Sequence, residues 1–250
     1  YDPEFIYAYL SASLIIYFLA TAVAIFRKKV PSEAAVEAQC SVIGNVGFLG
    51  IPMLAILMGP KSVGFIMIIL AIDLIVFGSL IVLILVASKD KKLDIFLFYR
   101  VLIGLMKNPM IVSIICGLLW SASGWSIPEP INDFIVMLGS AATPGALFAI
   151  GASLAQKSTE RFEVAAWLSF CKLVLHPFAV CIAVFYIFEV ELYAATVMIA
   201  AASLPVAGNI FMVAQHYNVA PKRASAAIFL STVLSIFTVS FTIAWVSSLN

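Results

Sequence analysis

Two stretches decide the fold: Gly44-Asn45-Val46-Gly47-Phe48-Leu49-Gly50-Ile51-Pro52 and Ser203-Leu204-Pro205-Val206-Ala207-Gly208-Asn209-Ile210-Phe211. Each lies inside a long apolar run, over 34–58 and 191–217. In a helix interior Gly costs about 1 kcal/mol against Ala, and Pro about 3 kcal/mol. Three glycines at spacing three, closed by Pro52, make a poor helix centre. The second stretch concentrates Pro, Gly and Asn in the same way. Either alone could be ordinary membrane Gly and Pro, allowing a kink or close packing. Two at corresponding places predict a pair of interrupted spans.

The rest of the chain has to be membrane-embedded for that reading to hold. Of 250 residues, 64% are hydrophobic and 11% charged, where soluble domains run near about 45–50% and 25%. Mean hydropathy is +1.13. A soluble fold of this length cannot bury so much apolar surface. This excludes a cytosolic enzyme, a nucleic-acid-binding protein and a disordered chain. The net charge of +1 offers no field for a charged macromolecular partner. Cys40, Cys116, Cys171 and Cys181 sit in apolar stretches without a CxxC pair, so no metal or disulfide framework is expected.

A spanning helix needs about 20 mostly apolar residues. Eight such runs lie near 5–26, 34–58, 62–87, 108–126, 131–156, 162–188, 191–217 and 224–247. The basic residues gather on alternate loops. Arg27, Lys28 and Lys29 follow the first run, and Lys89, Lys91, Lys92, Arg100 and Lys107 the third. Lys157 and Arg161 follow the fifth, and Lys222 and Arg223 the seventh. The positive-inside rule makes those loops cytoplasmic and leaves both chain ends outside. Residues 92–107 mix aromatics with charges and read as an amphipathic helix on the inner surface.

Gly59-Pro60-Lys61 ends the second run and Ala220-Pro221-Lys222 the seventh, an offset of 161. The same offset carries the first run into the sixth and the third onto the eighth. It relates segments entering from opposite sides, so the repeat is inverted. The fourth and fifth runs would open the second repeat, and their counterparts are missing before Tyr1. Eight spans present of an expected ten, in two five-helix repeats, is the resulting expectation. Interrupted helices at matching places in inverted halves point to a midplane substrate site.

The runs Gly44–Pro52 (GNVGFLGIP), Pro144–Leu154 (PGALFAIGASL) and Leu204–Tyr217 (LPVAGNIFMVAQHY) resemble the auxin efflux carrier family. The order and spacing of all three agree over the whole chain, and the short central loop is closer to the bacterial members that carry malonate or other dicarboxylates. The resemblance implies inverted five-helix repeats, two crossed interrupted helices, and a transport domain moving against a scaffold that forms a homodimer. On this frame, 1–90 and 158–250 supply transport-domain helices, 91–107 the cytoplasmic linker and 108–157 scaffold helices. The expected function is secondary transport of small organic anions, such as malonate, malate or auxin-like acids, in a bacterial inner (plasma) membrane. No cofactor is expected, and coupling to H+ or Na+ is open.

Asn45 and Asn209 sit beside the breaks and offer both donors and acceptors, to a substrate or to freed backbone groups. Gly47, Gly50, Pro52, Pro205 and Gly208 would shape the backbone there. Asp73 falls near the centre of the third run; a charge at that depth costs about 2.5–3.5 kcal/mol and is a functional candidate by default. Lys172 and His176 are four apart in the sixth run, on one helix face. Asp73 and Lys172 are expected to face each other, as a coupling pair with His176 nearby or as a structural ion pair. Glu37 and Gln39 are expected at an inner vestibule or a solvated helix start. Two rivals were weighed. A channel needs a continuous polar path, whereas the polar groups cluster at the breaks. An intramembrane hydrolase would use Gly151-Ala152-Ser153-Leu154, which half-matches a GxSG loop and lacks its final Gly.

Overall fold

A computed structural model describes residues 2–89, 103, 106, 109–154 and 162–249. Every regular element among them is helical. Helix α1 (Pro3–Phe26) is capped by Asp2, whose side chain accepts from the Glu4 N–H at 3.0 Å. Helix α2 (Pro31–Val42) stops at the first glycine run, and α3 (Val46–Met58) resumes after Asn45. Helix α4 runs through Ser62–Ile72, a π-type turn at Asp73–Phe77, and Gly78–Lys89. Next come α5 (Pro109–Ser123) and α6 (Glu129–Leu154). Helix α7 (Phe162–Ile187) has π-type turns at Cys171–Leu175 and Ala183–Ile187. Helices α8 (Leu192–Ala202) and α9 (Asn209–Tyr217) flank the second break, and α10 (Pro221–Ser247) follows.

Among the described residues, four helices are long and apolar enough to cross a membrane: α1, Ser62–Ser88, α7 and α10. The second and seventh expected runs are each split, at residues 43–45 and 203–208. The expected surface helix over 92–107 lies almost wholly outside the described residues.

One core joins the two ends of the chain. It includes Phe5, Tyr9 and Ile16 of α1, Ile66, Ile69 and Phe77 of α4, Leu168 of α7 and Ile228 of α10. Small residues let the backbones approach. On α1, Ala8, Ala12, Ala20 and Ala24 are all buried, and α8 is buried from Ala194 to Ala202. The helix Glu129–Leu154 touches the start of α3 and packs beside α10. The exposed apolar side chains of α6, including Ile131, Phe134 and Met137, suit contact with lipid or further helices.

Side-chain pairs tie the elements at each end. At one end Arg223 binds Glu37 at 2.8 Å and Glu33 at 3.1 Å, Arg27 also binds Glu37, and Lys29 lies 3.5 Å from Glu33. Glu37 and Gln39 are buried, so neither is a solvated helix start. Glu37 is held by two guanidinium groups brought from α10 and from the end of α1. At the other end Glu4 accepts from the Glu189 N–H at 2.6 Å, and Tyr193 donates to the Met58 carbonyl at 2.7 Å.

Candidate functional site

The two breaks pair with each other. Gly44 and Val206 form an isolated antiparallel bridge, in which the Asn45 N–H donates to the Pro205 carbonyl at 2.8 Å and the Ala207 N–H to the Ile43 carbonyl at 3.0 Å. Gly and Pro released these backbone groups from the helix ladder, and in a membrane interior they must find partners inside the protein. The bridge supplies them. The Val206 N–H finds a third, the Ser231 hydroxyl of α10, at 3.1 Å. The Asn45 carbonyl accepts from both Leu49 and Gly50, which starts α3 with a π-type turn.

The pairing puts four helix ends at one place. Helices α2 and α8 end there, presenting carbonyls; α3 and α9 begin there, presenting N–H groups that carry partial positive charge. A cavity of about 30 Å³ lies between them, lined by Asn45, Gly47, Asp73, Gly208 and Asn209 with Phe48, Leu70 and Leu74. A water needs about 10–15 Å³ of such space, so the cavity has room for about two or three waters and is too tight for a dicarboxylate.

A buried polar chain runs from this cavity into the core. Asp73 is 2% exposed, and its Oδ1 accepts from the Tyr9 hydroxyl at 2.9 Å. The Tyr9 ring meets His176 edge-on, with centroids 5.8 Å apart. His176 Nε2 lies 3.0 Å from the Ser13 hydroxyl and Nδ1 lies 3.3 Å from Lys172 Nζ. With Lys172 as an ammonium, which can only donate, Nδ1 would accept and the ring proton would sit on Nε2, facing Ser13. Lys172 also donates to the Ala202 carbonyl, the last residue of α8. A buried ammonium thus meets the negative end of a half-helix.

The structure brings together most of the residues expected from sequence. Asn45, Gly47, Gly208, Asn209 and Asp73 share the cavity. Pro205 is buried in the bridge, and Gly50 packs so tightly that a Cβ would come 2.7 Å from Leu204 Cδ1. Pro52 lies apart, exposed in the second turn of α3. Lys172 and His176 are fully buried. One expectation is corrected: Asp73 and Lys172 make no ion pair. Each takes other partners, because Tyr9 and Ser13 of α1 lie between α4 and α7. Sequence reasoning missed Tyr9, Ser13 and Gly44. A tyrosine and a serine on an apolar helix carry no signal of their own. Their four-residue spacing, matched by Lys172 and His176 on α7, was the available hint.

These features define a polytopic all-α membrane protein organised around two paired helix breaks. The family described as "Membrane transport protein" matches residues 3–243, and the chain belongs to that family, in accord with the auxin efflux carrier motifs. It is 27% identical over 242 residues to a protein of Rhizobium meliloti (strain 1021) named "Putative malonate transporter", covering 95% of this chain and 75% of that one. As a member of this family the chain is a membrane transport protein.

Proposed function

We propose that this chain is a secondary carrier of small organic anions, with carboxylates as the substrate class, working by alternating access. The observation that carries the reading is the Gly44–Val206 bridge, which turns two helix N-termini toward one cavity. Such ends favour anionic groups. A substrate carboxylate would take the N–H groups at the starts of α3 and α9, with Asn45 and Asn209 on either side. Gly47, Gly50, Pro52, Pro205 and Gly208 would keep this backbone open. The name of the Rhizobium relative makes malonate the first substrate to test. The small cavity suits a carrier whose site enlarges as it opens to one side.

The inverted repeat has support from the element bounds. Shifted by 161 positions, the bounds of α1 to α4 fall within three residues of those of α7 to α10. The start of α1 meets the chain just after α7, and the start of α8 meets the end of α3, as antiparallel halves require. In this reading 1–90 and 158–250 form the moving domain, and 108–157 belongs to the scaffold through which two copies associate. The ends carrying Arg27 and Arg223 face the cytoplasm, both chain ends lie outside, and the membrane is the inner one. Asp73, Lys172 and His176 couple the substrate to an ion gradient.

Uptake of labelled malonate, malate and an indole carboxylate into proteoliposomes tests this, under imposed proton and sodium gradients. Saturable flux with counterflow, lost in Asn45→Ala, is the expected result. Flux that is non-saturable would mean a channel. Carboxylate flux unchanged in Asn45→Ala would remove the site assignment.

A further inference from the structure

The cavity between the breaks faces two acceptors that nothing satisfies. Asp73 Oδ2 and Asn209 Oδ1 are both buried without a hydrogen-bond partner, and both residues line it. The other Asp73 oxygen is taken by Tyr9. Lys172 is committed to Ala202 and His176. Of the other side chains around the space, Asn45 is polar, and Ile43, Phe48, Leu70, Leu74 and Ala207 are apolar. A buried carboxylate oxygen with no donor is costly, because it has lost water and gained nothing. Two acceptor oxygens at one small space call for a donor or a cation between them, and the charge of the carboxylate favours a cation.

Size and charge narrow its nature. The space of about 30 Å³ takes a body as large as a water. Helices α2 and α8 end here, at Val42 and Ala202, so their negative ends add to the field. Asp73 and Lys172 cancel in charge. An anion bound at the N-termini of α3 and α9 would therefore leave the interior negative. A cation beside it restores neutrality.

We propose that Asp73 and Asn209 form a binding site for a dehydrated monovalent cation of sodium's size, adjacent to the anion position and separate from it. The neutrality argument and the role as coupling ion rest on the carrier reading above; the two buried oxygens and the helix ends that face them do not. The test uses the full chain purified in detergent without any organic anion. Thermal unfolding and binding of radiolabelled sodium are measured as sodium chloride is exchanged for potassium or choline chloride at constant ionic strength. Saturable, sodium-selective stabilisation is expected, abolished in Asp73→Asn and weakened about tenfold in Asn209→Ala, the loss of one ligand. Asn209 is only half-buried, so its variant decides the matter if Asp73→Asn does not fold. Equal melting in sodium and choline would overturn the proposal, as would sodium binding intact in Asp73→Asn. Stabilisation by acid alone, with no sodium effect, would assign the site to a proton and also overturn it. Sodium binding without flux of any carboxylate would retain this site and remove the carrier reading; carboxylate flux without sodium binding would do the reverse.

Discussion

The side chain of Lys172 lies against the backbone of Gly44: a Cβ built at residue 44 would sit 3.2 Å from Lys172 Cε and 3.3 Å from Nζ. The glycine of the first break is thus the floor on which the ammonium of α7 rests. Lys172 reaches past it to the Ala202 carbonyl of the second break. One buried charge therefore senses both interruptions.

Gly44→Ala should disturb that seat. The methyl group also meets Leu204 Cβ at 3.4 Å, so the lysine has little room to yield. Overpacking of this kind costs about 1–3 kcal/mol. Thermal unfolding in detergent should drop accordingly. Gly47→Ala, whose Cβ would find only Leu70 at 3.7 Å, should leave unfolding nearly unchanged. Equal melting of the two variants would contradict the contact.

Gly50 and Leu204 are coupled across the breaks. A Cβ at 50 would come 2.7 Å from Leu204 Cδ1, inside any normal contact. Gly50→Ala alone should destabilise by about 1–3 kcal/mol. Leu204→Ala alone should cost about 2–5 kcal/mol, since the side chain is fully buried. The double variant should be clearly better than the sum, because the new methyl fills part of the space vacated. A double-mutant cycle by chemical or thermal unfolding checks this; strict additivity would mean the two residues do not touch in solution.

The charged cluster at the α2–α10 end should matter more than the ion pair at the opposite end. Glu37 is buried against Arg223 and meets the partly exposed Arg27, and Glu37→Gln leaves those guanidinium groups without their shared carboxylate. Breaking a buried pair costs about 3–5 kcal/mol. Lys61 and Glu191, 3.5 Å apart, are largely exposed, and Lys61→Ala should cost under about 1 kcal/mol. Acid should weaken the cluster as well. Partial burial pushes the Glu33 carboxyl up, but the bond and charge of Arg223, aided by Lys29, pull it below its usual 4.5. A depressed carboxylate lends stability above its unfolded value and loses it as pH falls through the folded one. Melting scans below pH 4.5 should therefore narrow the gap between parent and Glu33→Gln.

The helix breaks were readable because they are local chemistry. Gly44–Pro52 and Ser203–Phe211 cannot propagate a helix, and the chain leaves the helix within both. Asp73 and Lys172 were readable as buried charges because no membrane-depth charge is cheap. Their partners were not. Tyr9 reaches Asp73 across 64 positions and Ser13 reaches His176 across 163. Nothing in an apolar helix marks which hydroxyl will meet which charge. The same limit applies to Glu37: its sequence neighbours left an inner vestibule or a solvated first turn open, and only the arrival of Arg223 from 186 positions away buries it.

By itself, then, the sequence determined the membrane class, the places where helices must stop, and the family, since each depends on composition or short-range pattern. Tertiary structure decided the pairing of the two breaks, the chain from Asp73 through Tyr9 toward His176 and Lys172, and the two unsatisfied oxygens at the cavity. Those depend on which helix lies beside which. In a chain whose helices are apolar on nearly every face, close packing and the satisfaction of buried polar groups settle that arrangement, and hydrophobic periodicity does not.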